Sequence, residues 1–246
     1  MNNVDNIDTK DREITYDFAY KKANALIVYK KKSVLSRKIW HYLYIFTKRV
    51  LDIIIALFGQ IILLPMIVIV KIINLINGDT APVIFVQNRI GKDGKEFKFY
   101  KFRSMIPNAD EVLYQMLEDN KELAEEYRIN KKLKDDPRIT KLGKFLRKTS
   151  LDELPQLWCI LVGTMSVVGN RPYLPREMDD IADYYEDIIK TKPGLTGLWQ
   201  VSGRSNMTFD ERLELESYYS NNCNILMDIA LFFKTFHAVL HRKGAE

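Results

Sequence analysis

Residues 53–70 read IIIALFGQIILLPMIVIV, an apolar run of the length that fills a bilayer core as a helix, and no other stretch constrains the fold as strongly. Lys48, Arg49 and Asp52 precede it, Lys71 follows it, and Gly59, Gln60 and Pro65 lie inside. A straight span is the simplest reading of the hydropathy. The flanks argue otherwise. Lys21, Lys22, Lys30, Lys31, Lys32, Arg37 and Lys38 make the preceding segment basic, yet residues 71–103 are basic too, whereas a span carries its basic excess on one side. Pro65 removes a backbone hydrogen bond and crowds the preceding turn, so a kink is expected there. The favoured reading is a re-entrant helix–break–helix that returns the chain to its side of origin. Broken helix at membrane depth then needs protein cover.

Two further stretches suit a membrane surface. LSRKIWHYLYIFTKRV, ending at Val50, mixes basic residues with Trp40, Tyr42, Tyr44 and Phe46, and ILMDIALFFKTFHAVLHR carries an apolar stripe interrupted by Asp228, Lys234 and His237. Both patterns also fit ordinary core-facing helices. The N-terminus, MNNVDNIDTKDREITYD, lacks the layout of a signal peptide. The formal charge of +5 suits nucleic acid, anionic lipid or a phosphate-rich substrate equally well, so charge alone selects none. Cys159 and Cys223 form neither a disulfide framework nor a CxxC metal pair, which fits a reducing compartment.

PVIFVQNRIGKDGKEFKFYKFRSM reads as a β-hairpin turning at Asp93-Gly94, residues 108–130 as one or two exposed helices, and 178–190 as an acidic helical stretch. Thr208 and Glu211 have capping-box spacing at the head of a helix. Helices outnumber strands. The chain contains no GxxxxGK[ST] and no GxGxxG after a strand, so phosphate chemistry must use other groups. His237 and His241 are spaced i, i+4 but lack a third ligand, and read as surface or interface residues.

The most informative window is RKTSLDELPQ, residues 147–156, where adjacent carboxylates stand beside cations before an apolar helix. Spacing supports local structure first: Ser150 and Glu153 fit a capping box, with Asp152 favouring the helix dipole. Pro155 prefers the first helical position, which puts the carboxylates just outside the helix. A positive helix end would lower the pKa of Asp152 and keep it ionised, as a nucleophile requires. Such a carboxylate can attack a phosphoryl group. Glu153 could then serve acid–base work or hold a divalent ion, Mg²⁺ by preference, and Arg147 could grip phosphate oxygens with its fork.

Longer motifs add a resemblance. KRVLD at 48–52, the Pro65 helix, QNRIG at 87–91, YKFRSM at 100–105, DPRIT at 136–140, LGKFLRKTSLDELPQL at 142–157, MSVVGNRP at 165–172 and KPGLTGLWQVSGR at 192–204 follow in order. Together they resemble the catalytic domain of the bacterial sugar transferases, monotopic phosphoglycosyl transferases that start glycan assembly on polyprenyl phosphate. The resemblance implies an α+β, mainly helical fold. A tail and interfacial segment (1–47) and a re-entrant membrane helix (48–78) would precede a catalytic domain (79–246) at the cytoplasmic face of the bacterial inner membrane. It implies Asp152 as nucleophile on a UDP-sugar, Glu153 beside it, and Mg²⁺ on both. Arg147, Lys101, Arg103, Arg171, Pro172 and Arg204 are the implied substrate and phosphate contacts. Undecaprenyl phosphate would be the acceptor and UMP the leaving group, with membrane lipid around the anchor, no nucleic acid partner, and a homodimer as an open possibility.

Departures include Leu64 where Ser often precedes the proline, Asn170 where Pro is usual, Cys159 where Asn is usual, and Thr164 where an acid is usual. The GLWQVSGR wording favours galactose, then glucose, over an N-acetylhexosamine. A basic membrane adaptor would explain charge and anchor while leaving the carboxylates unused.

Overall fold

The computed structural model describes residues 34–130, 133–202 and 207–240. The tail before residue 34, Arg204 and His241 lie outside them.

Helix α1 (Val34–Ile76) runs for 43 residues, about 64 Å at 1.5 Å per residue. Helical backbone continues through Pro65, where the sequence predicts a break. Long helical flanks hold the φ that proline already prefers, and the lost bond leaves only the Ile61 carbonyl without its helical donor. The interfacial and membrane segments predicted separately are therefore one element. α1 is long and apolar enough to cross a membrane, and most of its apolar surface is exposed: Phe58, Ile61 and Leu64 are each more than 60% exposed. A narrow stripe is not. Asp52, Ala56, Leu63 and Val70 are buried, the last three at heptad spacing. Gly59 lies on the same side, where an added Cβ would come within 2.4 Å of Leu157. From 52 to 70, then, α1 lies along the rest of the protein.

A turn at Gly78 leads into the hairpin of β1 (Ile84–Ile90) and β2 (Glu96–Phe102), antiparallel from Ile84 opposite Phe102 to Ile90 opposite Glu96. As predicted, Asp93 and Gly94 take positive φ at the turn, 58° and 73°. β2 sends Phe97, Phe99 and Phe102 inward. Two exposed helices follow, α2 (Ala109–Asp119) and α3 (Lys121–Asn130). α4 (Lys141–Lys148) is capped by Thr140, whose hydroxyl accepts from the Gly143 N–H at 2.9 Å. A single 3₁₀ turn, Leu151–Glu153, then leads through Pro155 into α5 (Gln156–Val162).

The short strand β3 (Ser166–Val168) precedes a crossover of 3₁₀ turns and α6 (Tyr185–Ile188). The acidic helical stretch predicted over 178–190 is therefore mostly 3₁₀. β4 (Gly194–Thr196) returns parallel to β3, a pairing the sequence gives no sign of. Gly169 and Gly194 make it possible, since a Cβ on Gly194 would lie 2.1 Å from the Gly169 nitrogen. α7 (Leu198–Ser202) and α8 (Phe209–Asn222) follow, the latter opened by the predicted Thr208–Glu211 capping box, and α9 (Ile225–Leu240) ends the described chain.

The main core gathers Ala56, Phe97, Phe99, Leu157, Ile160, Val167, Leu215 and Leu231 from α1, β2, α5, β3, α8 and α9. Polar groups fix α1 in register against it. Arg49 donates to the Ile160 and Leu161 carbonyls at 2.6 and 2.8 Å, closing the C-terminal end of α5. Asp52 accepts from Ser166 Oγ and the Val167 N–H at 3.0 and 2.8 Å. Lys48 donates to the Val168 carbonyl at 2.8 Å and to Asp228 at 2.6 Å, and Asp228 also accepts from Tyr44 and Tyr219. KRVLD is thus a docking latch on one helical face, where the sequence reading treats its charges only as flanks of the apolar run.

Candidate active site

Asp152 and Glu153 occupy the 3₁₀ turn between α4 and α5. Ser150 enters that turn with φ 56° and makes no side-chain cap bond, so the capping box predicted for Ser150 and Glu153 does not form. A left-handed residue there turns the chain sharply and frees both carboxylates to face β2. Asp152 is 8% exposed. Lys101 on β2 reaches both carboxylates, its Nζ 3.1 Å from Glu153 and 3.9 Å from Asp152.

The predicted lowering of the Asp152 pKa is overturned. Burial pushes its carboxyl above the usual carboxylate range and the charge of Glu153 adds to this; Lys101 and Arg147 pull only partly in the other direction. The reason is local. A single 3₁₀ turn separates Asp152 from α5, so few aligned amide dipoles point at it, while the surrounding protein excludes water.

Arg147 ends α4. Its Nε donates to Ser104 Oγ at 2.9 Å, and burial lowers its basicity against the opposing charges of Asp152 and Asp136. Gly143 lets Ser104 close on α4, because a Cβ there would lie 1.9 Å from the Ser104 carbonyl oxygen. Beneath lies a buried bidentate pair, Arg138 on Asp136 at 2.8 and 2.6 Å. Burial raises Asp136, but the hydrogen bonds and charge of Arg138 outweigh it and hold the carboxyl low. Spacing did not single out Ser104, Asp136 or Arg138, although the YKFRSM and DPRIT motifs contain them.

Arg103 is committed elsewhere. It donates to Asp79 at 2.8 Å and to the Pro82 and Met105 carbonyls, fastening the end of α1 to the hairpin. Arg171 and Pro172 lie in a second cationic cluster. Arg89 donates to the Pro172 carbonyl at 3.0 Å, Arg171 pairs with Glu177 at 3.3 Å, and Arg89 lies 3.9 Å from the same carboxylate. Glu216, 1% exposed on α8, accepts from the Arg171 N–H at 3.0 Å and the Tyr173 hydroxyl at 2.8 Å. Its carboxyl is pushed up to about 7 by burial. The two clusters adjoin through Phe99: Lys101 and Arg89 lie over its ring, at 5.5 and 5.2 Å from the centroid. Arg89, Arg212 and Glu216 escaped the sequence reading because a charged residue in QNRIG or TFDERLELESYY looks like an exposed one.

Comparison with known proteins gives one family and several relatives. A family model described as bacterial sugar transferase matches residues 43–242. A UDP-galactose-lipid carrier transferase of Erwinia amylovora is 44% identical over 200 residues, covering 81% of this chain and 42% of that protein. An undecaprenyl-phosphate galactose phosphotransferase of Salmonella typhimurium has the same identity and coverage. The chain therefore spans about two fifths of those two relatives, 42% in each case. The exopolysaccharide production protein ExoY of Sinorhizobium fredii is 40% identical over 203 residues, covering 81% of this chain and 88% of that protein.

Proposed function

The chain belongs to the bacterial sugar transferase family, and on that premise we propose that it transfers a hexose 1-phosphate from a UDP-sugar to undecaprenyl phosphate, releasing UMP. The observation that carries this reading is the buried Asp152, whose charge is countered only loosely, beside Glu153, Lys101 and Arg147.

In the first half-reaction an oxygen of Asp152 attacks the β-phosphorus. An acyl phosphate bond forms, the bond from phosphorus to the bridging oxygen breaks, and UMP leaves with that electron pair. In the second, an oxygen of the lipid phosphate attacks the same phosphorus, the acyl phosphate bond breaks, and the Asp152 carboxylate returns. Lys101 favours the ionised form of Asp152 against the pull of burial and meets the charge of the phosphoryl oxygens. Glu153 takes the proton of a monoprotonated lipid phosphate. Arg147 has its Nε held by Ser104, which orients the terminal nitrogens of the fork for two phosphate oxygens.

Asp152 and Glu153 would hold Mg²⁺. Hard oxygen donors in adjacent positions fit an ion that takes one or two carboxylates and draws its remaining ligands from phosphate and water. Among the described residues no group of three or more acidic, His or Cys ligands competes for it. When bound, the ion offsets the charge of the diphosphate.

The membrane reading is monotopic. α1 keeps contact with the catalytic unit from the latch at 48–52 through Val70, and this supports both ends of the helix lying at the cytoplasmic face, with its exposed apolar side in lipid. Galactose is the favoured sugar, glucose next, and an N-acetylhexosamine the alternative. The names of the Erwinia and Salmonella relatives support the first choice.

Purified protein in detergent, given Mg²⁺, polyprenyl phosphate and a panel of UDP-sugars, is expected to release UMP fastest from UDP-galactose. Absence of UMP from every donor overturns the catalytic reading, and release from UDP-N-acetylhexosamines alone overturns the sugar.

A further inference from the structure

Arg212, in the first turn of α8, stacks its guanidinium carbon 4.4 Å from the Trp199 ring centroid and 5.9 Å from that of Phe209. Phe209 meets Tyr173 edge-on, with centroids 6.5 Å apart and planes at 88°, and Arg171 lies 5.5 Å over Tyr173. Trp199, Arg212, Phe209, Tyr173 and Arg171 thus form one ladder, with its two guanidinium groups separated by two aromatic rings. Stacking occupies the faces of a guanidinium and leaves its N–H edge as a donor row. The Nε of Arg212 is buried and has no partner among the described residues.

Charge in this cluster is uneven. Arg171 lies close enough to lower the basicity of both Arg89 and Arg212, although burial is the larger cause in each. Against these three cations stand Glu177, shared by Arg89 and Arg171, and Glu216, whose oxygens are already taken by the Arg171 N–H and the Tyr173 hydroxyl. Three partly buried cations against two carboxylates leave an excess of positive charge that an anionic ligand would complete. Phosphate oxygens fit two forked donors best.

We propose that Arg212 and Arg171 form a two-arginine clamp on the phosphate oxygens of the nucleotide donor, which makes Arg212 a substrate-binding residue. This inference rests on the proposed transfer reaction for the identity of the donor. Donor and lipid acceptor both carry phosphate. The donor is the better fit, because Trp199 beside the clamp is only half-buried and its free surface suits a nucleobase, for which a lipid phosphate has no use.

The full chain in detergent serves for the test, with UMP binding by calorimetry and KM for each substrate as readouts. Arg212→Gln is expected to weaken UMP binding and raise the donor KM about tenfold, with kcat and the polyprenyl phosphate KM changed less than about twofold. Arg212→Lys, which keeps charge but loses fork and stack, should recover less than half of that loss. Where Arg212→Gln melts below the parent protein, Arg212→Lys decides alone. Unchanged UMP affinity in a folded variant overturns the clamp, and an increase confined to the polyprenyl phosphate KM overturns its assignment to the donor. Parent protein that binds UMP but releases none from any donor overturns the transfer reaction and leaves the clamp standing. Parent protein that does neither overturns both.

Discussion

Asp228 and Asp152 are comparably buried, at 5% and 8% exposure, and are treated very differently by their neighbours. Asp228, in the latch, accepts from Lys48 at 2.6 Å, Tyr219 at 2.7 Å and Tyr44 at 2.9 Å. Asp152, at the candidate active site, has Lys101 at 3.9 Å. Buried acceptors are ordinarily saturated, and leaving one short of donors is destabilising. A saturated carboxylate fixes a helix. Asp152, with one cation at 3.9 Å, is countered more loosely, and under the proposed reaction an arriving phosphoryl group would meet that carboxylate.

Asp152→Asn separates the two roles most sharply. Turnover should fall at least about a thousandfold, roughly 4 kcal/mol of transition-state stabilisation, while the melting temperature holds or rises because a poorly compensated buried charge is gone. UMP release and a thermal melt on one preparation check both, and full activity in this variant would falsify the covalent mechanism. Lys48→Met should do the reverse, destabilising the fold by about 3 kcal/mol in denaturant titration by stranding Asp228 among tyrosines. If it costs no more stability than Asp152→Asn, the contrast between saturated and under-saturated sites collapses.

Arg147→Lys should lower kcat/KM about thirtyfold, near 2 kcal/mol, by removing the fork while keeping the charge. Glu216 is the intermediate case, hydrogen-bonded but without a directly bound cation. Its carboxyl is raised from 4.5 to about 7, so between those values the folded state keeps a proton that the unfolded chain has released. Stability should therefore fall as pH rises through that window, and Glu216→Gln should flatten the slope, an effect of about 3 kcal/mol in pH-dependent melts.

The apolar run, the hairpin at Asp93-Gly94, the exposed helices of 108–130 and the Thr208 cap were legible because each is specified by neighbours in sequence. The pairing of β3 with β4 was not, since it depends on two glycines 25 residues apart being able to approach. At the site, the Asp152-Glu153 pair was visible as a motif, but its electrostatics were misjudged. Pro155 does leave the carboxylates just outside the helix, as its preference for a helix start predicts, but burial at the left-handed turn outweighs the helix end. Arg212 and Glu216 were hidden because charge in an i, i+4 pattern looks the same in sequence whether it faces water or a ring.

The latch also sets a schedule for synthesis. Lys48 finds Asp228 180 positions later in the chain, so at ribosomal rates of roughly 5–20 residues per second the helix waits on the order of ten to forty seconds for its partner. Its heptad stripe gains Val83, Phe102 and Leu146 earlier in that interval, while its exposed apolar face stays uncovered throughout. That face needs an apolar neighbour before Asp228 is made, so the docking of Lys48 on Asp228 is among the last contacts that α1 forms.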